Sequence, residues 1–290
     1  EICEVIVSIL RYYENDENIL HSALMALANL LDRIPENQQK VQEVIILKTM
    51  QIRCDSLVVI RGGLAALLGV IHDNPNYPEK LSSIAAIKII LKGIFLHYGD
   101  IIVAKRGSSV ISILSSHDKI YQRVLGSEGA CSIILDILKE HEDNIIVMRE
   151  ASWALCSLCH KYDSNRIKIL NSEGIEILTE YLRVYNGNET ILVWICGTIA
   201  NISAIQTSTN ANRYIQVGTC TTLIEILQIY GLGGELGNES ILKYICWAVS
   251  NLGLVNSLSE IFGDCGTCEQ FTLVFLKHME NESIIELIIP

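Results

Sequence analysis

Apolar residues recur along this chain three and four positions apart, with polar residues between them, which predicts amphipathic helices from end to end. The pattern is punctuated. Leu170-Asn171-Ser172-Glu173-Gly174 precedes an apolar helix predicted over Ile175 to Leu182, and Tyr214-Ile215-Gln216-Val217-Gly218 precedes one over Leu223 to Leu227. Weaker copies run from Val58 to Gly63 before Leu64 to Leu68, and from Val124 to Gly129 before Ile133 to Leu138. A second helix follows in each phrase and closes on a small polar residue: Asn29, Ser157, Asn201 and Asn251 hold that place. Glycine to glycine, 129 to 174 is 45 residues, 174 to 218 is 44 and 218 to 266 is 48. A fixed period in that range is the mark of stacked helical repeats, which work by presenting a long surface.

Two places break the period. Gly63 to Gly107 is 44 residues but Gly107 to Gly129 is 22, so Ser108 to Ser116 reads as a first helix lacking its second, a half-repeat near 100–128. The stretch 230–238, Tyr-Gly-Leu-Gly-Gly-Glu-Leu-Gly-Asn, is too rich in glycine to be helical and is expected as a loop.

Residues four and seven positions before the closing Asn or Ser share its helical face. That offset collects Glu150 and Trp153 with Ser157, Trp194 and Gly197 with Asn201, and Tyr244 and Trp247 with Asn251, so all three tryptophans of the chain fall on one face. An extended peptide could lie there against aromatic faces and be held by side-chain amides. The alternative is that each indole packs as core between successive helices. Glu150, Trp153, Ser157, Trp194, Asn201, Tyr244, Trp247 and Asn251 are therefore the candidate binding residues.

Ala23 to Leu30, Trp153 to Leu158, Gly197 to Ile202 and Trp247 to Leu252 place small residues beside Leu or Ile at helical spacing, and in this the chain resembles the armadillo-repeat family. The resemblance runs from Gly129 to Leu254 and from Ile2 to Leu31. It implies one all-α domain over 1–290, a right-handed solenoid of about six units. It further implies a non-enzymatic adaptor that holds a protein segment in its concave groove. Arg149 to Leu158, Ile199 to Ser203 and Cys246 to Leu252 are similar to the importin-α branch, which would imply a divergent nuclear-import receptor for basic signals. In that branch a Trp stacks on lysine stems and an Asn one turn on fixes the peptide backbone. Trp247 with Asn251 matches in full; Trp153 has Ser157, Asn201 has Gly197, and Asn29 has Met25.

Composition narrows the function. Lys plus Arg is 22 against 33 Asp plus Glu, a formal charge of −11, which disfavours nucleic acid and favours a basic partner. Lys, Glu, Asp, Asn or Gly interrupts every apolar run, so no membrane span is expected. The ten cysteines sit in a large chain with ample core, and Cys131, Cys156, Cys196 and Cys246 lie in apolar helical patterns; they read as reduced, which places the protein in cytosol or nucleus. Cys156 to His160 fits a haem-attachment pattern but lies mid-helix. Cys265-Gly266-Thr267-Cys268 fits a redox or half-zinc pattern and is the one candidate for an enzymatic role. Glu17, Glu79, Glu189 and Glu239 each open a predicted second helix, with Asn188 and Asn238 as caps, where they compensate the helix dipole. No nucleophile order, phosphate loop, cofactor or metal motif stands out.

Overall fold

The computed structural model describes residues 2–41, 43–74, 81, 83–232 and 239–280, and every regular element among them is an α-helix. The chain divides into two compact units, 1–158 and 159–290. The first holds α1 (Ile2–Tyr12), α2 (Glu17–Leu31), α3 (Pro35–Gln38), α4 (Glu43–Ile52), α5 (Leu57–Ile71), α6 (Ile84–His97), α7 (Ile101–His117), α8 (Lys119–Ser127), α9 (Ala130–Glu140) and α10 (Ile145–Cys159), whose last residue meets the division. The second holds α11 (Asp163–Leu170), α12 (Gly174–Val184), α13 (Glu189–Ile202), α14 (Ser208–Val217), α15 (Thr219–Leu232), α16 (Glu239–Gly253), α17 (Asn256–Asp264) and α18 (Thr267–Lys277).

Within the first unit α2, α5 and α7 stack in succession as closing helices, while α1, α4, α6 and α9 form the layer behind them; in the second, α13 stacks on α16 and α12 on α15. The stripe that drives this is visible on α2, where Leu20, Leu24, Leu27 and Leu31 are all fully buried. Burying one leucine side chain contributes about 1.5–3 kcal/mol, so the stripe commits the helix to its neighbours. Glycine lets α5 come close to α2. A Cβ on Gly62 would stand 3.0 Å from Leu24 Cβ, and one on Gly69 would stand 2.9 Å from the Ala28 carbonyl oxygen.

Three expectations change. The apolar stretches before the repeat glycines are themselves helices, α8, α11 and α14, so a unit has three helices rather than two. Gly129 and Gly218 sit at the turns between first and second helices, with φ of 94° and 73°, a conformation that costs other residues strain. Gly63 and Gly107 instead lie inside the closing helices α5 and α7. The 22-residue interval thus compares two different points of the unit, and the half-repeat near 100–128 resolves into a complete closing helix α7 followed by α8. Of the expected loop 230–238, the first three residues end α15 and the rest lie outside the described residues, as do Glu79 and Asn238. Asn188 does cap α13, its Oδ1 accepting from Ile191 N at 3.3 Å, and Asp16 accepts from Asn18 N and Ile19 N ahead of Glu17.

The carbonyls that end a closing helix need partners once buried. Gln38, on α3, donates from Nε2 to Leu31 O at 3.2 Å, Gly69 O at 2.9 Å and His72 O at 3.0 Å, joining the ends of α2 and α5. Gln122 on α8 donates to Ser157 O at 2.8 Å, and Arg166 on α11 donates from Nε to Cys159 O at 3.0 Å. First helices therefore carry a buried polar clamp.

Two ion pairs make stability depend on acid. Asp100 caps α7, accepting from Ile102 N and Val103 N, and also accepts from Arg61 Nε at 2.9 Å; these bonds, Arg61 foremost, hold its carboxyl below the ordinary aspartate value of 3.8. Arg213 does the same to Glu176. A carboxyl whose folded pKa is depressed contributes stability that is complete above its unfolded pKa and is lost as pH falls through the folded one. The urea midpoint should accordingly drop between neutral pH and pH values below 3.8, and Asp100→Asn should be less stable at neutral pH but lose less on acidification. An equal acid loss in wild type and variant would remove Asp100 from this account.

Candidate functional site

In the first unit the C-terminal ends of α2 and α5, the C-terminal half of α7 and the middle of α10 enclose an open cleft of about 1060 Å³. Its walls carry Asp32, His72, Asp73, Ser109, Ile113, Ser116, His117, Glu150 and Trp153. Ser109 Oγ donates to Glu150 Oε2 at 2.8 Å, and Arg149 donates to Glu150 Oε1 from Nε at 3.0 Å and Nη2 at 2.6 Å. Ser116 Oγ donates to Ser157 Oγ at 2.9 Å. Both serine contacts span 41 residues, so α7 and α10 run in one register. His72 Nδ1 lies 3.1 Å from Asp32 Oδ1, and Asp73 pairs with Arg33 at 3.4 Å on an exposed edge. The cleft thus combines one broad indole with carboxylates that face Arg33, His72 and Arg149.

Trp153 is half-buried, while Ala154 and Leu155 beside it have no exposed surface. In the second unit Trp194 on α13 and Tyr244 and Trp247 on α16 are likewise half-buried, with Ile195, Cys196 and Ile245 closed off behind them. The aromatic residues selected by the offset rule therefore all keep a solvent-facing side. The small polar residues do not share that placement. Ser157 is buried, its hydroxyl bonded to Ser116. Asn201 has no exposed surface: its Nδ2 donates to Gly197 O at 2.8 Å and its Oδ1 accepts from Arg166 Nη2 at 3.2 Å. Asn251 is half-buried, and its Nδ2 donates to Ala200 O at 3.1 Å and Ser203 Oγ at 3.2 Å. Asn201 thus joins the Arg166 clamp.

Replacing Asn201 should then cost stability. Loss of a buried pairing costs about 1–3 kcal/mol. Asn201→Ala should lower the thermal midpoint by several degrees, since each kcal/mol moves a domain of this size by about 2–4 °C. An unchanged midpoint in a calorimetric scan would contradict the internal role.

The residues missed from sequence lie just past the ends of α2 and α5 (Asp32, His72 and Asp73) and on α7 (Ser109, Ile113 and Ser116). The signal was present, because the offset of seven that yields Glu150 from Ser157 yields Ser109 from Ser116 once α7 is recognised as a closing helix.

Cys156 and Cys159 of the haem-like pattern are buried in α10. Cys265 is half-buried after α17 and Cys268 exposed in the first turn of α18. Burial pushes the Cys220 and Cys246 thiols up to about 12, so neither is a thiolate at neutral pH. Among the described residues no helix is long and apolar enough to cross a membrane.

No protein-family model and no curated protein matches the sequence. Solved structures do. An engineered protein is similar over 99% of this chain and 68% of its own, with TM-score 0.76 at 18% identity. Computationally designed armadillo repeat proteins for modular peptide recognition match over 87% of this chain and 99% of theirs, with TM-score 0.68 at 20% identity. A designed armadillo repeat protein in complex with the peptide (KR)4 matches over 98% and 95%, with TM-score 0.60 at 18% identity. Identities this low speak for the fold alone, and the fold of this chain is an α-solenoid of armadillo-type repeats.

Proposed function

We propose that the protein is a non-enzymatic adaptor that binds an extended segment of a partner protein along its closing helices. The observation that carries this reading is the placement of Trp153 in the first unit and of Trp194, Tyr244 and Trp247 in the second, each half-exposed while the neighbours on its helix, Ala154 and Leu155, Ile195 and Cys196, and Ile245 and Ala248, are buried. Indoles in that position offer a broad apolar surface at low entropic cost, which is why Trp is prominent among binding hot spots. Support comes also from the fold, which in designed proteins serves peptide recognition, in one case of the basic peptide (KR)4. The Asp32, Asp73 and Glu150 carboxylates of the first unit suit a partner with basic side chains. An import receptor built on paired Trp and Asn is disfavoured by the burial of Asn201.

The test is fluorescence anisotropy with labelled (KR)4 against the whole chain, with a scrambled Gly-Ser octapeptide as control. Saturable binding of (KR)4 that is displaced by unlabelled (KR)4 is expected. Signal that does not saturate, or that the neutral control reproduces, would sink the reading.

A further inference from the structure

We infer that Arg106, three residues before the cleft residue Ser109 on α7, is an anion-recognition point beside the groove of the first unit, so that the bound segment carries a carboxylate as well as basic side chains. The inference rests on the groove reading above and adds the chemistry of the segment. Arg106 projects from the middle of α7 across α5 towards α2: its Nη1 donates to Arg61 O at 2.7 Å and lies 3.8 Å from Met25 Sδ. The side chain is half-buried, and no carboxylate among the described residues forms an ion pair with it. The nearest candidate, Asp100, is taken by Arg61 and by the α7 backbone. Burial and the adjoining Arg61 charge press the Arg106 pKa down from its usual value, against a smaller opposing pull from the Asp100 charge.

Such a guanidinium is costly to keep unless something compensates it. One N–H is used by Arg61 O, which leaves Nε and Nη2 as a fork suited to a carboxylate in a two-bond embrace. Three residues further along α7, about 4.5 Å of rise, Ser109 is bonded to Glu150, where an anion would be repelled. Successive side chains on one face of an extended peptide are separated by about 6.8 Å, so neighbouring positions of a single segment can meet both charges. The surface therefore sorts charge: an acidic side chain at Arg106, basic ones beside Glu150, Asp32 and Asp73.

The experiment scans glutamate through labelled (KR)4, one substitution per peptide, and measures anisotropy at fixed ionic strength with the whole chain. At least one register should bind about tenfold more tightly than (KR)4, although it has lost a positive charge to a chain of net −11. In Arg106→Gln, checked for helical content by circular dichroism, that gain should vanish while (KR)4 binds as well as before or better. Arg106→Lys, which keeps the charge and loses the fork, should retain only part of the gain, and it decides the question should the glutamine variant not fold. A scan with no improved register, or a gain that survives in Arg106→Gln, overturns the inference and leaves the groove reading standing. A gain with phosphoserine and none with glutamate overturns the carboxylate assignment. Failure of every peptide, (KR)4 included, overturns the groove reading and this inference together.

Discussion

Trp153→Ala and Trp247→Ala should each weaken capture of the partner segment by about 30-fold or more while leaving the chain folded, the signature of a truncated hot spot worth at least about 2 kcal/mol. The stability side of this expectation follows from exposure. Removing a fully buried Trp costs about 3–5 kcal/mol, through lost transfer energy and the cavity left behind. Both indoles are half-buried on helices whose inward faces are filled by Ala154, Leu155, Ile245 and Ala248, so truncation trims a surface and empties no interior space. Trp153 lies in the cleft beside Glu150 and Ile113, and its loss should be felt most by probes with a basic or aromatic side chain there. Circular dichroism melting and anisotropy on the same samples separate the outcomes. Loss of helical signal in Trp247→Ala, or unchanged binding in both variants, would make the indoles packing residues.

Gly69→Ala should destabilise the first unit despite adding a better helix former. In an exposed helix interior, alanine is favoured over glycine by about 0.8–1.0 kcal/mol. At Gly69 the new Cβ would lie 2.9 Å from the Ala28 carbonyl oxygen and 3.0 Å from Leu31 Cβ. The first contact is with backbone, which has no rotamer to escape into, so α2 and α5 must move apart. Overpacking of this kind costs about 1–3 kcal/mol, which exceeds the propensity gain. Gly263→Ala on α17 is the control: nothing lies within 4 Å of its Cβ position, and the substitution should be neutral or mildly stabilising. Urea midpoints that shift in the same direction for both variants would refute the close-approach argument.

These two glycines show why the sequence was read well in some places and poorly in others. Gly129 and Gly218 recur at turns and carry positive φ, so counting between them recovers the repeat. Gly63 and Gly107 serve helix interiors, yet nothing local distinguishes a glycine needed for a turn from one needed for close packing. That ambiguity made α7 look like a first helix and hid its contribution to the cleft. The aromatic face was legible because helical offsets are a local property, and the three tryptophans obey them. The fate of Asn201 was not, since its partner Arg166 stands 35 residues earlier on a different helix. Arg106 escaped notice for the opposite reason: what matters is that the neighbouring Asp100 is paired with Arg61 instead, which no spacing along the chain records.

Gln38 has a mechanical consequence. One primary amide both terminates α2 and fastens it to the end of α5, a latch at the edge of a seam that is otherwise held by Leu24, Ala28 and Leu31 packed against Gly62 and Gly69. Pulled from its ends, a structure latched in this way should yield by discrete slips rather than by uniform stretching. Each slip releases one repeat, about 140 Å of extended chain for roughly 42 residues. Gln38→Ala should bring the release of the first repeat to lower force without shortening its step, as force spectroscopy on the intact chain would register.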